Sequence, residues 1–375
     1  MTNTSEGWAE RVGRNFRQAQ SSKQLESISS SSSGAMPEAA LRKRARSDAE
    51  FETALETLEK VERGGELEGR HYAALEAIIE PENRPVLDIV NDTFAETDIP
   101  WNWEVLREAD VRAAIERAAP AIGRVELPNH PSIPYGGTAF FVGDGLMMTN
   151  RHVAEIFTQG LGIDGLKFRP GRAAVDLKQE VVPCEPRLIT VDKVLMVHPY
   201  WDCALLKVSG EGAARTPLKL LEHEPSDLKG KPVIIIGYPA MDPRGDVNLQ
   251  QRIFRVFQKK RLQPGNIIGY GEIRSYDDDV MAITHDVSTL GGNSGSAVID
   301  LYTGEVVGLH FAGMQRVANY AVPAWELARD GRVVDTGVNF VASPQAAVVT
   351  PWEHRWQEAD PGFQPTPSGR RYGGG

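Results

Sequence analysis

The sequence predicts a mainly β protein in which many short strands form a barrel or a sandwich, with a small helical domain before them. Two observations lead to this prediction. From about residue 121 to 322, short runs rich in valine and isoleucine alternate with glycine turns, as in all-β domains. From about residue 51 to 119, apolar residues recur instead at three- and four-residue steps, as on one face of a helix.

Composition limits the classes of protein that this chain can be. Its 375 residues are 41% hydrophobic, which is enough for a sizeable core in one or two domains. The net charge of −10 argues against a broad nucleic-acid-binding surface. Two cysteines do not make a disulfide framework, and the sequence has neither a signal-peptide pattern nor an apolar run of about 20 residues. We therefore expect a soluble, cytoplasmic protein without a membrane partner.

Shifts in composition divide the chain into four predicted segments. Residues 1–49 are poor in large apolar side chains and are expected to form a flexible arm. Residues 50–120 form the predicted helical accessory domain, and residues 121–340 hold the predicted strands. Residues 341–375 carry several prolines and end in three glycines, which is typical of a linker or a disordered tail.

Four helices are predicted in the helical accessory domain. The first covers about 51–61, and the second surrounds Leu75. The apolar run 86–90 predicts a third, and the fourth includes Val111 and Ile115. This segment has no clustered His, Cys or acidic ligands, which favours a structural or partner-binding role over catalysis. A regulatory protein is the partner that we hypothesise.

The predicted strands are defined by short apolar runs between turns. The clearest of them lie at 138–142, 191–197, 204–208, 233–236, 267–270 and 306–311. A last helix is predicted at 323–329.

A glycine-flanked serine near the end of the β region is the first candidate for chemistry. Ser294 lies between Gly292 and Gly295, and glycines permit the tight turn that exposes one hydroxyl. Such a turn also leaves backbone N–H groups directed outward, where a developing oxyanion can be bound. The pattern is weak alone, because it also occurs in unrelated hydrolases and in ordinary turns.

A serine nucleophile needs a base, and the base needs a third group that fixes its tautomer. Among eight histidines, His152 has the most suitable context, because it follows an apolar strand and the turn 143–145. Asp202 directly opens the apolar run 203–208, so a buried carboxylate there would need a donor such as the imidazole of His152. A surface histidine and a strand-capping or ion-paired aspartate remain the alternatives.

The order His, Asp, Ser in these contexts resembles the chymotrypsin-like (trypsin-like) serine peptidases. Residues 149–152 resemble the family's Thr-Ala-Ala-His, residues 202–207 its Asp-Ile-Ala-Leu-Leu-Lys, and residues 292–295 its Gly-Asp-Ser-Gly. Residues 307–313 resemble its substrate-pairing strand. The resemblance spans about 121–327 and implies two six-stranded antiparallel β-barrels, with the site in the cleft between them.

Two details narrow the resemblance to its bacterial branch. Asn293 stands where the digestive enzymes have the aspartate that receives a new N-terminal amine after zymogen cleavage. Asparagine cannot form that ion pair, so we expect a different activation. Residues 288–296 and 308–313 resemble the glutamyl endopeptidases, and the likeness extends to trypsin-like domains of intracellular multidomain proteins.

The resemblance also implies the substrate-binding residues. Ser288 occupies the position of the pocket-floor aspartate of trypsin, which argues against basic substrates. Thr289 and His310 match the residues that bind glutamate in the glutamyl endopeptidases, and both can donate to a carboxylate. A structural role for His310 on a core strand is the alternative, with a small or apolar preference. The expected substrate strand contributes Phe311, Ala312 and Gly313.

The sequence as a whole predicts a serine endopeptidase that hydrolyses proteins or peptides. Ser294 is the expected nucleophile, His152 the general base and acid, and Asp202 the orienting carboxylate. The N–H groups of Gly292 and Ser294 form the expected oxyanion hole, and the mechanism needs no metal or organic cofactor.

Three rival functions are weighed against this prediction. A catalytically inactive peptide-binding module on the same fold would not react with a fluorophosphonate. An esterase or lipase would have the order Ser, Asp, His. A nucleic-acid adaptor would use the basic clusters 42–46 and 259–261, against the overall acidity.

Overall fold

The structure is a computed structural model. It describes residues 84–96, 99–243, 247–314, 318–344 and 350–361. All of these residues fall within a single compact unit. The predicted arm 1–49 and the helices predicted at 51–61 and around Leu75 lie outside the described residues.

The elements are named in chain order. The strands are β1 Leu87–Val90, β2 Thr93–Phe94, β3 Ile122–Glu126, β4 Tyr135–Gly143, β5 Leu146–Thr149, β6 Thr158–Gln159, β7 Lys167–Phe168, β8 Ala174–Asp176, β9 Leu188–Val197, β10 Ala204–Ser209, β11 Pro232–Gly237, β12 Arg261–Ser275, β13 Asp278–His285, β14 Ala297–Asp300, β15 Val306–Met314 and β16 Ala318–Pro323. The α-helices are α1 Ala109–Ala118, α2 Arg151–Ala154, α3 Val247–Phe254, α4 Ala324–Ala328, α5 Gly331–Asp335 and α6 Glu353–Ala359. Among the described helices, none is both long and apolar enough to cross a membrane.

The first barrel closes through six antiparallel strands in the order β10-β5-β4-β3-β8-β9. Strand β4 has apolar residues at successive positions, and Ala139, Phe140, Phe141 and Val142 are all fully buried. A strand of this kind buries both of its faces, so β4 can fill the barrel on one side and pack against the rest of the protein on the other.

The second barrel is a ring of six antiparallel strands in the order β11-β14-β15-β16-β13-β12. A further pairing of β11 with β12 closes the ring. Its core contains Val233, Ile235, Ile267, Ile283 and Val298. The mainly β class and the pair of six-stranded barrels are therefore confirmed.

The helix predicted at 86–90 is wrong, because this segment is strand β1. It pairs with β12 through Leu87↔Leu262 and forms a hairpin with β2. The buried guanidinium of Arg261 donates to the carbonyls of Val86 and Leu87. A short apolar run fits either period, and here the distant pairing with β12 decides the outcome.

The helix predicted to include Val111 and Ile115 is confirmed as α1, which buries both residues. A 3₁₀ helix, Trp101–Arg107, leads into it. The helix predicted at 323–329 is confirmed as α4, and in the described part of the chain helices α5 and α6 follow it.

The prediction of a linker or disordered tail from 341 onwards is wrong for residues 350–361. Helix α6 lies in this stretch, and Trp352 and Trp356 are buried. Two buried indoles bring enough apolar surface to order a short helix against the barrels, although the surrounding composition is rich in proline.

Candidate active site

Pairing of two strands in the first barrel brings the predicted base and acid together. Strand β5 pairs with β10 in antiparallel register, with Thr149 opposite Ala204. The residues after β5 and those before β10 therefore lie at the same end of the barrel. His152 lies in the one-turn helix α2, and Asn150 Nδ2 donates to the carbonyl of Asp202 at 2.9 Å.

The imidazole of His152 is bonded to the carboxylate of Asp202. Nδ1 lies 2.7 Å from Oδ2, and the backbone N–H of His152 donates to Oδ1 at 3.0 Å. Asp202 is 5% exposed, whereas the His152 side chain is 28% exposed. Because a carboxylate only accepts, Nδ1 carries the hydrogen, and Nε2 is left as the basic nitrogen of the neutral ring.

The turn that carries Ser294 connects both barrels. Gly292 and Gly295 have φ angles of 90° and 86°, which favour glycine. The N–H of Gly295 donates to His310 O of β15 at 3.0 Å, and Thr138 N of β4 donates to Ser294 O at 2.8 Å. A side chain at position 295 would begin 2.0 Å from the carbonyl oxygen of Thr138.

Gly137 marks the point where the surroundings of His152 and Ser294 converge. A Cβ at this glycine would lie 2.7 Å from the carbonyl oxygen of Ser294 and 2.9 Å from a methyl group of Val153. Val153 is the residue after His152. The helix of the base and the turn of the serine thus both contact strand β4 at one residue that has no side chain.

Asn293 belongs to a buried amide pair. Its Oδ1 accepts from Gln263 Nε2 at 3.0 Å, and its Nδ2 donates to Gln263 Oε1 at 3.2 Å. Both side chains are fully buried. Asn293 is thus held by two hydrogen bonds to a neutral side chain, whereas the aspartate of the digestive enzymes is held by a charged amine.

The residues predicted to form the specificity pocket are all buried. Ser288 Oγ donates to the carbonyl of Arg84 at 3.0 Å, and Thr289 Oγ1 donates to Asn319 Oδ1 at 2.6 Å. The hydroxyl hydrogen of Thr289 is therefore used within the protein.

His310 forms a buried pair with His285. Nδ1 of His310 lies 3.2 Å from Nε2 of His285, and both rings are fully buried. Burial and the neighbouring His285 hold the pKa of His310 well below its ordinary value, and burial lowers the pKa of His285 to about 3. Both rings are neutral at physiological pH.

Strand β15 offers an edge beyond His310. Its pairing with β14 runs to Leu309↔Ala297, and His310 N donates to Ser296 O at 2.9 Å. On the other side, β16 pairs as far as Met314↔Ala318. The residues after His310, namely Phe311, Ala312 and Gly313, thus have a strand neighbour on one side within the described residues, and an extended peptide could add to the other.

His198 and Asn150 are structural neighbours of the acid that the sequence pattern does not single out. His198 is fully buried, and its Nδ1 accepts the N–H of Trp201 at 3.0 Å. The only feature of the sequence that could have identified them is their position, because Asn150 is close to His152 and His198 is close to Asp202 along the chain. In the ranges that the structure describes, no three His, Cys, Asp or Glu side chains are grouped as a metal site.

Comparison with known proteins gives one family and one curated relative. The family model described as a trypsin-like peptidase domain matches residues 137–309. A probable serine protease of Lysobacter enzymogenes is 27% identical over 237 residues, which cover 56% of this chain and 61% of the relative.

Solved structures also align with the chain. The HtrA-type protease AlgW with a decapeptide has a TM-score of 0.39 at 20% identity, over 58% of this chain and 66% of that one. An inactive form of the Rv3671c protease of M. tuberculosis has a TM-score of 0.39 at 19% identity, over 60% of this chain and 89% of that one. The residues matched by the family model, 137–309, run from strand β4 of the first barrel to strand β15 of the second, so this part of the chain is similar to trypsin-like peptidase domains.

Proposed function

We propose that this chain is a serine endopeptidase that forms an acyl-enzyme on Ser294. The observation that carries the proposal is the 2.7 Å contact between His152 Nδ1 and Asp202 Oδ2. It joins the carboxylate of the loop before β10 and the imidazole of helix α2, close to a glycine-flanked serine turn. A histidine in this tautomer can accept the proton of a serine hydroxyl at Nε2.

The proposed reaction uses these groups in two half-reactions. Ser294 Oγ attacks the scissile carbonyl carbon while its proton passes to His152 Nε2. Asp202 stabilises the imidazolium that results. The imidazolium then gives its proton to the leaving amine as the C–N bond breaks. A water molecule repeats the sequence on the ester and releases Ser294.

The turn supports the proposed oxyanion hole. The N–H groups of Asn293 and Ser296 are used within the turn, by Leu290 O at 3.1 Å and by Asn293 O at 2.9 Å, and that of Gly295 is used by β15. The N–H groups of Gly292 and Ser294 are the pair that the family resemblance assigns to the oxyanion, and we propose them for that role here.

Reaction with a fluorophosphonate tests the proposal. The intact mass should increase by one phosphonyl adduct, and peptide mapping should place that adduct on Ser294. A folded protein that shows no adduct would favour the inactive peptide-binding module instead.

For specificity, we propose a preference for an acidic residue before the scissile bond, with His310 as the donor. The hydroxyl hydrogen of Thr289 is used by Asn319. We propose that His285 Nε2 donates to His310 Nδ1, so that the hydrogen of His310 is on Nε2, which has no hydrogen-bond partner within the described residues. A neutral imidazole offers one hydrogen bond and no full charge, so a carboxylate would be favoured over an amide by the strength of that bond.

Matched peptides that differ only in Glu, Gln, Leu or Arg before the scissile bond test this preference. We expect cleavage after Glu to exceed cleavage after Gln by about 10-fold, as for one hydrogen bond to a charged group. His310→Ala should remove that difference, and His223→Ala, at an exposed position, is the control. Equal cleavage after Glu and Gln in both proteins would contradict the preference.

We further infer that a regulatory protein bound to the N-terminal part of the chain would act on the pocket through residues 84–90. Arg84 Nε donates to Asp286 Oδ1 at 2.7 Å, and the carbonyl of Arg84 accepts from Ser288. Val86 packs with Leu290. This short segment therefore contacts both ends of the loop that precedes the nucleophile turn.

Arg84→Gln should raise KM for peptide substrates several-fold with a smaller change in kcat, because it removes the ion pair that holds the pocket loop. Arg117→Gln removes the same charge from an exposed position on α1 and should leave both constants at their wild-type values. Unchanged KM and kcat in a folded Arg84→Gln protein would contradict the proposed action of residues 84–90 on the pocket.

A further inference from the structure

A buried aspartate links the end of the chain to the loop before strand β10. Oδ2 of Asp330 lies 3.2 Å from His198 Nε2 and accepts from the indole N–H groups of Trp352 and Trp356, both at 2.7 Å. Its Oδ1 accepts from Arg332 N at 3.0 Å. Burial acts to raise the pKa of Asp330, but these bonds outweigh burial and hold it well below the ordinary value. The group is therefore a carboxylate at neutral pH.

His198 carries this contact to the backbone before the acid. Its Nδ1 accepts the N–H groups of Tyr200 at 3.1 Å and of Trp201 at 3.0 Å. A nitrogen that accepts bears no hydrogen, so Nε2 carries it and donates to Asp330. Burial lowers the pKa of His198, which keeps the ring neutral and in this tautomer.

The two backbone amides lie directly before Asp202. The N–H of His198 also donates to the carbonyl of Cys203 at 2.9 Å, so the loop closes around Asp202 from both sides. Asn150 Nδ2 holds the carbonyl of Asp202. The position of the Asp202 carboxylate is thus determined by a loop whose central bond acceptor is His198.

Trp352, the N-cap residue of helix α6, covers the same loop with its aromatic ring. Trp352 is stacked on Tyr200, with ring centroids 5.3 Å apart, and meets Trp201 edge-on at 5.5 Å. Arg332 forms two hydrogen bonds with Glu353, at 2.9 and 2.7 Å, which fasten the start of α6 to α5.

We propose that Asp330 is a positioning residue for Asp202, and that it acts through His198. We propose further that helix α6 and its N-cap residue Trp352 are part of the catalytic unit, because Trp352 and Trp356 supply two of the three side-chain N–H groups that Asp330 binds. The inference rests on the proposed serine peptidase function. In this proposal Asp330 does not touch the substrate. It affects turnover only because it fixes the orientation of the His152–Asp202 pair. A small displacement of a catalytic pair lowers turnover rather than substrate binding.

Asp330→Asn tests the proposal, because the amide removes the charge and replaces one carboxylate oxygen by an N–H₂ group. In either orientation this group faces a donor, namely the three side-chain N–H groups on Oδ2 or the N–H of Arg332 on Oδ1. We expect kcat to fall by about 10- to 100-fold with KM nearly unchanged, and the acidic limb of the pH profile to shift. The low-field proton resonance of His152 Nδ1–H, assigned by its loss in His152→Ala, should move or broaden. Asp335→Asn removes the same charge from an exposed position at the last residue of helix α5, whose N-cap is Asp330, and should behave as wild type.

Trp356→Phe is a milder variant in case Asp330→Asn fails to fold. It removes one indole N–H, keeps an aromatic ring, and should lower kcat in the same direction by a smaller factor. Wild-type kcat, pH profile and His152 resonance in the folded variants would overturn the proposal. The resonance reports the His152–Asp202 bond without turnover, so this result is separate from a failure of the peptidase function, which Ser294→Ala reveals.

Discussion

Ser294→Ala is expected to abolish peptide hydrolysis and to leave the fold intact. The substitution removes only the nucleophilic oxygen, since the turn is held by backbone bonds that alanine keeps, such as Thr138 N to Ser294 O at 2.8 Å. Loss of a catalytic nucleophile lowers turnover by about 10⁴-fold or more. Steady-state hydrolysis of a fluorogenic peptide and thermal unfolding of the same preparation check the two parts of this expectation.

Ser296→Ala is the matched control for the nucleophile. Ser296 belongs to the same turn and is fully buried, and its hydroxyl has no hydrogen bond partner within the described residues. Its removal should leave activity and fluorophosphonate labelling in place. Wild-type turnover in purified Ser294→Ala would end the serine peptidase proposal, whereas loss of activity in both variants would indicate a disturbed turn.

Asp202→Asn is expected to lower turnover by about 10⁴-fold with little change in structure. Oδ1 of Asp202 accepts the backbone N–H of His152 at 3.0 Å, and an amide oxygen can keep that bond. The amide N–H₂ would then face Nδ1 of the imidazole and donate to it. This forces the hydrogen onto Nε2, which can no longer accept the proton of Ser294. The defect should ease at high pH, where hydroxide helps to deprotonate the serine.

A pH series of kcat between about 6 and 10 measures this effect. Asp192→Asn is the control, because Asp192 is exposed and accepts a hydrogen bond from Ser209 at 2.9 Å. Asp176 is occupied elsewhere, by Lys178 N at 2.8 Å and Arg187 N at 3.0 Å. Unchanged activity of Asp202→Asn at neutral pH would mean that a different group orients His152.

The sequence alone was sufficient for the fold class and for the candidate residues. Strand periodicity and glycine turns are local properties, so the β region and helices α1 and α4 could be predicted directly. The order of His152, Asp202 and Ser294 could also be read along the chain. The structure places the first two 2.7 Å apart, and their roles with Ser294 stay a proposal.

Other features were decided by partners far away in the sequence. The run 86–90 is a strand because β12 pairs with it. Helix α6 forms in the predicted tail because Trp352 and Trp356 are buried and donate hydrogen bonds to Asp330. The contact between His198 and Asp330 spans 132 residues. Burial and the neighbouring His285, which lies 25 residues away in the sequence, hold the pKa of His310 well below its ordinary value.

The difference between the two groups of features has one physical reason. A local pattern of apolar, glycine and catalytic residue types determines which element forms and which groups it carries. The partner of a buried charge or of a strand edge depends instead on which segments the folded chain brings together, and a single sequence contains no direct record of that neighbourhood. The contacts of Asp330, His198 and strand β1 were therefore decided by the tertiary structure. The proposed roles of Asp330 and of residues 84–90 depend on those contacts.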